Sequence, residues 1–461
     1  MLKMLERCFG KRGSREVRKA QNGKPVVNQS QTHSESPQPE QKEDCVEFHN
    51  LVWPFDEPRE GVRDYSIFAD RKKVKNPCGI FLGTSGAGKT VFAKCEIYNA
   101  LREDPDCRVI VIDTHASVDR MKQWKSHYAP LASYAGGTFI NAFPDSGANI
   151  NPFPEVGEGY TVEMVAMLVC GLYESAIGEK RSVTTAEKAI IYRCLMRLYS
   201  AHSRFTAKDF FAFLEAQPEP EAKSITGMLS DAFSKSLPAF WGPDKSHDCD
   251  GRVLIYGVKV DYLNEYSGNK DSYGVKALLC CLSDAWSRVV ANSKKGIRTW
   301  LYIDDVEHLA TLPSPTEFVD MMFRKSADYN CFPTMILHGT FGTHLSDDMI
   351  YRYGTSGLML IMNSCAQDRY MLAETLPLSQ AYKSFINQCA GDWGVGEGVV
   401  IIEGKPYYFR YRAPYRLLCP AEDYRHGTSA NVLVQGGAAT DSACHAVCAL
   451  SDFCGLMEHQ L

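Results

Sequence analysis

Residues 79–90 read Gly-Ile-Phe-Leu-Gly-Thr-Ser-Gly-Ala-Gly-Lys-Thr, an apolar run that breaks into glycines and ends on a lysine and a threonine. The last eight, Gly83, Thr84, Ser85, Gly86, Ala87, Gly88, Lys89 and Thr90, fit the pattern G-x-x-x-x-G-K-[ST]. The spacing has a physical reason. Consecutive backbone N–H groups of a glycine-rich turn curl around a phosphate, and the following helix, which takes in Val91, adds its N-terminal dipole. Lys89 is placed to reach the β- and γ-phosphates, and the Thr90 hydroxyl to ligate Mg²⁺. An apolar strand before the turn and a helical pattern over Lys89–Leu101 after it supply the context such a loop needs. The stretch implies a nucleoside triphosphate site with Mg²⁺, lined by residues 83–91.

Outward from that loop the pattern repeats. Arg108–Asp113 (Arg-Val-Ile-Val-Ile-Asp) is an apolar second strand. Strand, loop, helix and strand on this scale predict a parallel α/β unit with right-handed crossover. A shorter strand near Thr138–Asn141 leads into Asn149-Ile150-Asn151-Pro152-Phe153. From about Thr161 the character changes to helix-period segments at Glu163–Tyr173, Thr185–Ser200, Ala207–Ala216 and Ala222–Ser236. Strands resume at Arg252–Val260, Thr299–Asp304, Thr334–His338, Gly357–Met362, Gly398–Glu403 and Pro406–Tyr411. Between the first two of these, Val275, Leu278, Leu279, Leu282, Trp286, Val289 and Val290 mark one apolar helix stripe, which reads as core. The expected organisation is a disordered tail over 1–50, a first core part over 51–160, and an all-helical insertion over 161–245. A second core part over 246–414 and a loosely structured tail over 415–461 complete it.

Composition narrows the classes. A net charge of −5 over 461 residues gives no global attraction to nucleic acid, so DNA contact would need a local patch. Only short basic runs qualify, Arg71-Lys72-Lys73 with Lys75, and Lys294-Lys295. No apolar run reaches the ~18 residues of a membrane span, and the start lacks a signal-peptide core. The first two dozen residues are basic, with Met1, Leu2, Met4, Leu5, Cys8 and Phe9 at helical spacing. They read as a solvated tail or as a segment lying on an anionic membrane surface. Seventeen scattered cysteines fit reduced thiols better than a disulfide framework, which predicts a cytoplasmic protein. Cys444, His445, Cys448 and Cys454 lie close together without matching an established zinc spacing.

A phosphate loop needs a carboxylate at the end of a neighbouring strand to hold Mg²⁺. Trp300-Leu301-Tyr302-Ile303-Asp304-Asp305 supplies one, with Asp304 as the metal-holding residue and Asp305 at the position of a water-polarising base. An aspartate there sets the carboxylate back by about one ångström relative to glutamate, and geometry governs general-base efficiency. Arg324 could act as a finger on a neighbouring subunit's γ-phosphate, or belong to a solvated charged face.

From about Gly61 to Pro414 the chain resembles the ATPase domain of TraE/VirB-type conjugative-transfer proteins of type IV secretion systems, in the wider HerA/FtsK group. The landmarks, in order, are Asp70-Arg71, Leu82–Thr90, Lys94, Glu96-Ile97-Tyr98-Asn99, Val111-Ile112-Asp113 and Ile150-Asn151-Pro152-Phe153. Asp284-Ala285-Trp286-Ser287-Arg288-Val289, Thr299–Asp304, Phe323-Arg324-Lys325, Met362-Asn363 and Gln367-Asp368-Arg369 continue the series. The resemblance implies a RecA-like core with a mostly parallel sheet and an all-helical insertion. It also implies hexamers, docking to secretion membrane components at the inner face of the cell membrane, and ATP hydrolysis that powers pilus assembly or export of DNA or protein. Three positions depart from the family pattern. Asp305 stands for the catalytic glutamate. Thr340, in Leu337-His338-Gly339-Thr340-Phe341, falls where a glutamine senses the γ-phosphate. Thr114-His115-Ala116-Ser117-Val118 replaces a Pro-x-x-Glu-Tyr-like run. The docking half of full-length members has no counterpart in the sequence. Three readings stay open: a secretion motor, an ATP-binding scaffold or regulatory subunit with little turnover, and a DNA translocase whose hydrolysis DNA would stimulate.

Overall fold

The computed structural model describes residues 47–50, 76–118, 124–142, 150–177, 183–231, 233–234, 240, 251–258, 273–304, 306–309, 312–338, 357–376, 378–389, 391, 393–412 and 431–433. Strand β2 (Gly79–Leu82), helix α1 (Lys89–Glu103) and strand β3 (Arg108–Asp113) follow one another as the apolar spacing predicts. After a small hairpin (β4, Ser117–Val118; β5, Trp124–Lys125) come α2 (Ala129–Ala135) and β6 (Thr138–Asn141). The described elements from there to β7 (Val253–Gly257) are helical: α3 (Val162–Ile177), α4 (Thr185–Ala201), α5 (Ala207–Glu215) and α6 (Pro220–Asp231). Capping boxes start two of them, Thr184 with Glu187 and Thr206 with Asp209, each satisfying two first-turn donors.

Helix α7 (Tyr273–Lys294), β8 (Thr299–Asp304), α8 (Pro313–Lys325) and β9 (Cys331–Leu337) continue the alternation. The chain then adds β10 (Leu358–Ile361), α9 (Ala366–Thr375), α10 (Gln380–Cys389), β11 (Glu397–Ile402) and β12 (Lys405–Arg412). Two strands were not expected from the sequence. β1 (Glu47–Asn50), in a stretch read as disordered, pairs antiparallel with β12, Phe48 opposite Tyr411. β13 (Asn431–Leu433) pairs with β6. Both cover sheet edges, where unpaired backbone groups recruit a strand through main-chain bonds that need no apolar pattern.

Among the described residues the main sheet has eleven strands, ordered β1-β12-β11-β10-β2-β9-β8-β3-β7-β6-β13. The central seven, β10 to β6, are all parallel, and the added strands at both sides are antiparallel. Parallel sheets need cover on both faces, and residues alternate between them along a strand. Ile80, Leu82, Ile110 and Ile112 point into a core shared with α3 to α8, including the whole predicted α7 stripe. Phe81, Val109 and Val111 pack on the other face against Phe92, Ile97 and Leu101 of α1 and Tyr128 and Leu131 beside and in α2. A buried polar bond crosses that second face: Tyr302 of β8 donates to the buried Glu96 of α1 at 2.6 Å, locking helix to sheet. Because the central strands are parallel, the segments after β2, β3, β8, β9 and β10 all emerge at one edge, where open α/β sheets bind ligands.

Candidate nucleotide site

The loop after β2 turns on backbone freedom. Gly83, Gly86 and Gly88 have φ of 156°, 80° and 104°, values that side-chain-bearing residues rarely adopt. At Gly83 space is tight as well: a Cβ there would sit 3.0 Å from the Asn363 carbonyl oxygen and 3.1 Å from Met362 Cβ, so the backbone after β10 would have to give way. Asn363, just past β10, anchors the loop by accepting from the Thr84 N–H (2.7 Å) and the Thr84 hydroxyl (3.2 Å). A Cβ on Gly86 would meet nothing within 4 Å, so the crown of the loop faces open space. Gly88 caps α1 without a side chain and the first turn carries no acidic residue, which leaves the helix dipole directed at that space.

Lys89 is 2% exposed and folded back on its own loop. Its ammonium donates to the carbonyl oxygens of Gly83 (2.7 Å) and Thr84 (3.0 Å) and lies 3.2 Å from Nδ1 of His338. An ammonium only donates, so His338 Nδ1 accepts and the ring proton sits on Nε2. That nitrogen lies 3.2 Å from Nε2 of His115 and 4.0 Å from Oδ1 of Asp304. Asp304 is fully buried at the end of β8, and its Oδ2 accepts from the Tyr128 hydroxyl at 3.1 Å. Burial, and then the neighbouring Asp304 and Asp113 carboxylates, hold the Tyr128 phenol well above its usual range, so it stays a donor. Behind His115, the buried Asp113 accepts from its backbone N–H (3.0 Å) and from the Ser126 hydroxyl (2.6 Å). Burial pushes the Asp113 carboxyl up, against the lowering effect of Ser126, His127 and His115.

Asp304 does not lie on the strand beside β2, as the sequence reading supposed: β9 runs between β2 and β8. The side chain just past β9, His338, therefore stands between the lysine and the carboxylate. Neither His338 nor His115 was assigned a role from sequence. The signal for both was strand order, since each follows a strand that ends at this edge. Thr90 is half-buried one residue past Lys89. Asp305 and Thr340 lie outside the described residues, as do Arg71–Lys75 and the cysteine-rich stretch 444–454. Arg324 is far from the loop within one chain. Its neighbours Phe323 and Ser326 contact Cys78 at the start of β2, the opposite end from Gly83. Its side chain is 52% exposed and pairs with Asp320 at 2.6 Å. Lys295 lines a cavity of about 430 Å³ at the starts of β3 and β8, together with Asp104, Asp106 and Arg298. With Arg298 paired to Asp104 at 2.6 Å, that surface is of mixed charge.

No helix of the described residues is long and apolar enough to cross a membrane. No protein-family model and no curated protein matches the sequence. Among solved structures, VirB4 of Thermoanaerobacter pseudethanolicus is similar with a TM-score of 0.57 at 17% identity, over 74% of this chain and 91% of that one. At that identity the likeness establishes architecture alone: the chain has the mixed α/β P-loop fold, with its mostly parallel sheet, that VirB4 has.

Proposed function

We propose that this chain is an ATP-binding, Mg²⁺-dependent motor ATPase of a type IV secretion or conjugative-transfer apparatus, working as a homo-hexamer docked at the inner face of the cell membrane. The observation that carries this reading is the loop of Gly83–Thr90 between β2 and α1, with Lys89 turned inward and open space over Gly86. That cradle suits a triphosphate, and the donor set suits a cation, a buried carboxylate and a hydroxyl being hard oxygen ligands. Loop N–H groups and Lys89 would hold the β- and γ-phosphates, and Thr90 and Asp304 would hold Mg²⁺. Bound there, Mg²⁺ neutralises charge on the phosphate oxygens. Asp305 would orient water as a short-armed base, Thr340 would contact the γ-phosphate side, and Arg324 would act on a neighbouring subunit's nucleotide.

A second reading, a regulatory subunit that binds ATP with little turnover, draws support from Lys89 itself. Its ammonium is occupied by two loop carbonyls and His338, contacts that phosphate must replace. ATP binding and steady-state hydrolysis of the full chain separate the two. Lys89→Ala should weaken ATP binding by at least about 100-fold, roughly 2.7 kcal/mol. Turnover in the parent, lost in Lys89→Ala and raised in Asp305→Glu, supports the motor. Binding without turnover in the parent and in Asp305→Glu supports the regulatory subunit. ATP affinity unchanged by Lys89→Ala would overturn both.

A further inference from the structure

Three metal-ligating side chains from three separate segments converge at the sheet edge: His115 after β3, Asp304 ending β8 and His338 after β9. One donor atom from each lies within 4.8 Å of the others, with His115 Nε2 to His338 Nε2 at 3.2 Å and His338 Nε2 to Asp304 Oδ1 at 4.0 Å. Ligands at about 2.0–2.2 Å around a tetrahedral ion stand roughly 3.4 Å apart, so closure by about an ångström would complete the set. We infer that His115, Asp304 and His338 form a site for a borderline divalent cation of the Zn²⁺ class, with the fourth position open.

Donor chemistry decides the ion. Two imidazoles with one carboxylate suit zinc, cobalt or iron(II), whereas Mg²⁺ takes oxygen ligands and parts with its waters reluctantly. The supports around the ligands fit as well. Tyr128 donates to Asp304 Oδ2 and so turns Oδ1 towards the histidines, and Asp113 fixes the His115 backbone. Such outer contacts orient ligands and set their basicity. His115 and His338 are half-buried while Asp304 is enclosed, which leaves a path in for the ion and a place for a fourth ligand. Ligation at His338 Nε2 moves the ring proton to Nδ1, where it would face Lys89. The lysine then gives up that contact and keeps the Gly83 and Thr84 carbonyls. The cation therefore shares Asp304 with the proposed Mg²⁺ and competes for it, a consequence that rests on the nucleotide reading. The site itself does not.

The test is a Co²⁺ titration of the metal-free full chain without nucleotide, followed by visible absorption. Expected is one saturable equivalent with intense d–d bands, displaced by equimolar Zn²⁺ but not by equimolar Mg²⁺. His115→Gln and His338→Gln should each weaken binding by about 100-fold or more. The triple variant Cys444→Ser, Cys448→Ser, Cys454→Ser should retain it. Zn²⁺ should also raise the melting midpoint of the parent and not of the glutamine variants, whose own metal-free melting checks that they fold. Bands that survive both histidine substitutions, a thiolate charge-transfer band lost only in the cysteine variant, displacement by Mg²⁺, or no saturable binding would each overturn the assignment.

Discussion

The phosphate loop and the carboxylate pocket stand at the same sheet edge, joined through Lys89 and His338, yet they are built in opposite ways. The loop is one continuous stretch, shaped by the φ angles of three glycines and held by backbone bonds to Asn363. The pocket draws Asp113, His115, Ser126, Tyr128, Asp304 and His338 from four separate segments and depends on buried side-chain contacts. A backbone device fails when a Cβ is added. A side-chain device fails when a donor is taken away, because a buried polar group left without its partner costs about 1–3 kcal/mol.

Gly83→Val sets the largest expected effect. It places a branched side chain where a single Cβ already meets Asn363 O at 3.0 Å, on a backbone with φ of 156°. Strain and overpacking together should lower stability by about 3 kcal/mol, and ATP affinity should fall by more than about 100-fold. Gly86→Ala is the matched control in the same loop. Its Cβ meets nothing within 4 Å, so only the φ of 80° counts, about 1 kcal/mol. Thermal melting and ATP titration of both variants check the pair. Equal losses would mean that the loop is not held by its contact with Met362 and Asn363 just past β10.

On the pocket side, Tyr128→Phe removes the hydroxyl that donates to the buried Asp304 and keeps the ring in its apolar surroundings. A loss of about 1–3 kcal/mol is expected. In a double-mutant cycle with Asp304→Asn the two changes should fall short of additive, since they break the same contact. Additive losses would show that Tyr128 does not orient the carboxylate.

The same contrast explains what the sequence made legible. The phosphate loop announces itself because its chemistry is local, so residues 83–90 and the bounds of β3, β6 and β8 could be read directly. Asp304 was legible as the end of an apolar run. Its place two strands from β2 was not, because strand order is set by long-range packing that leaves no periodicity in the chain. His115 and His338 were hidden for that reason. Each sits alone among unrelated neighbours in sequence, and only the sheet brings their ring nitrogens to 3.2 Å. The edge strands β1 and β13 escaped for a different reason, since they pair through backbone groups and carry little apolar pattern.

Arg324 belongs to neither region, and that makes the smallest structural perturbation the most informative about assembly. It sits at the end of α8, beside the start of β2 rather than its end, and its visible partner is Asp320 one helical turn earlier. An exposed i,i+4 pair contributes at most about 0.5 kcal/mol, so Arg324→Ala should leave the melting midpoint of the chain nearly unchanged. ATP affinity should also hold, because the residue is remote from its own loop. If the proposed hexamer forms, the same substitution removes a cation from the neighbouring subunit's γ-phosphate, and turnover should fall by roughly 10³-fold or more. Mixing the variant with Lys89→Ala chains sharpens the point: each supplies what the other lacks at half of the mixed interfaces, so part of the turnover should return. Turnover unchanged in Arg324→Ala would confine the chemistry to the loop and pocket of a single chain.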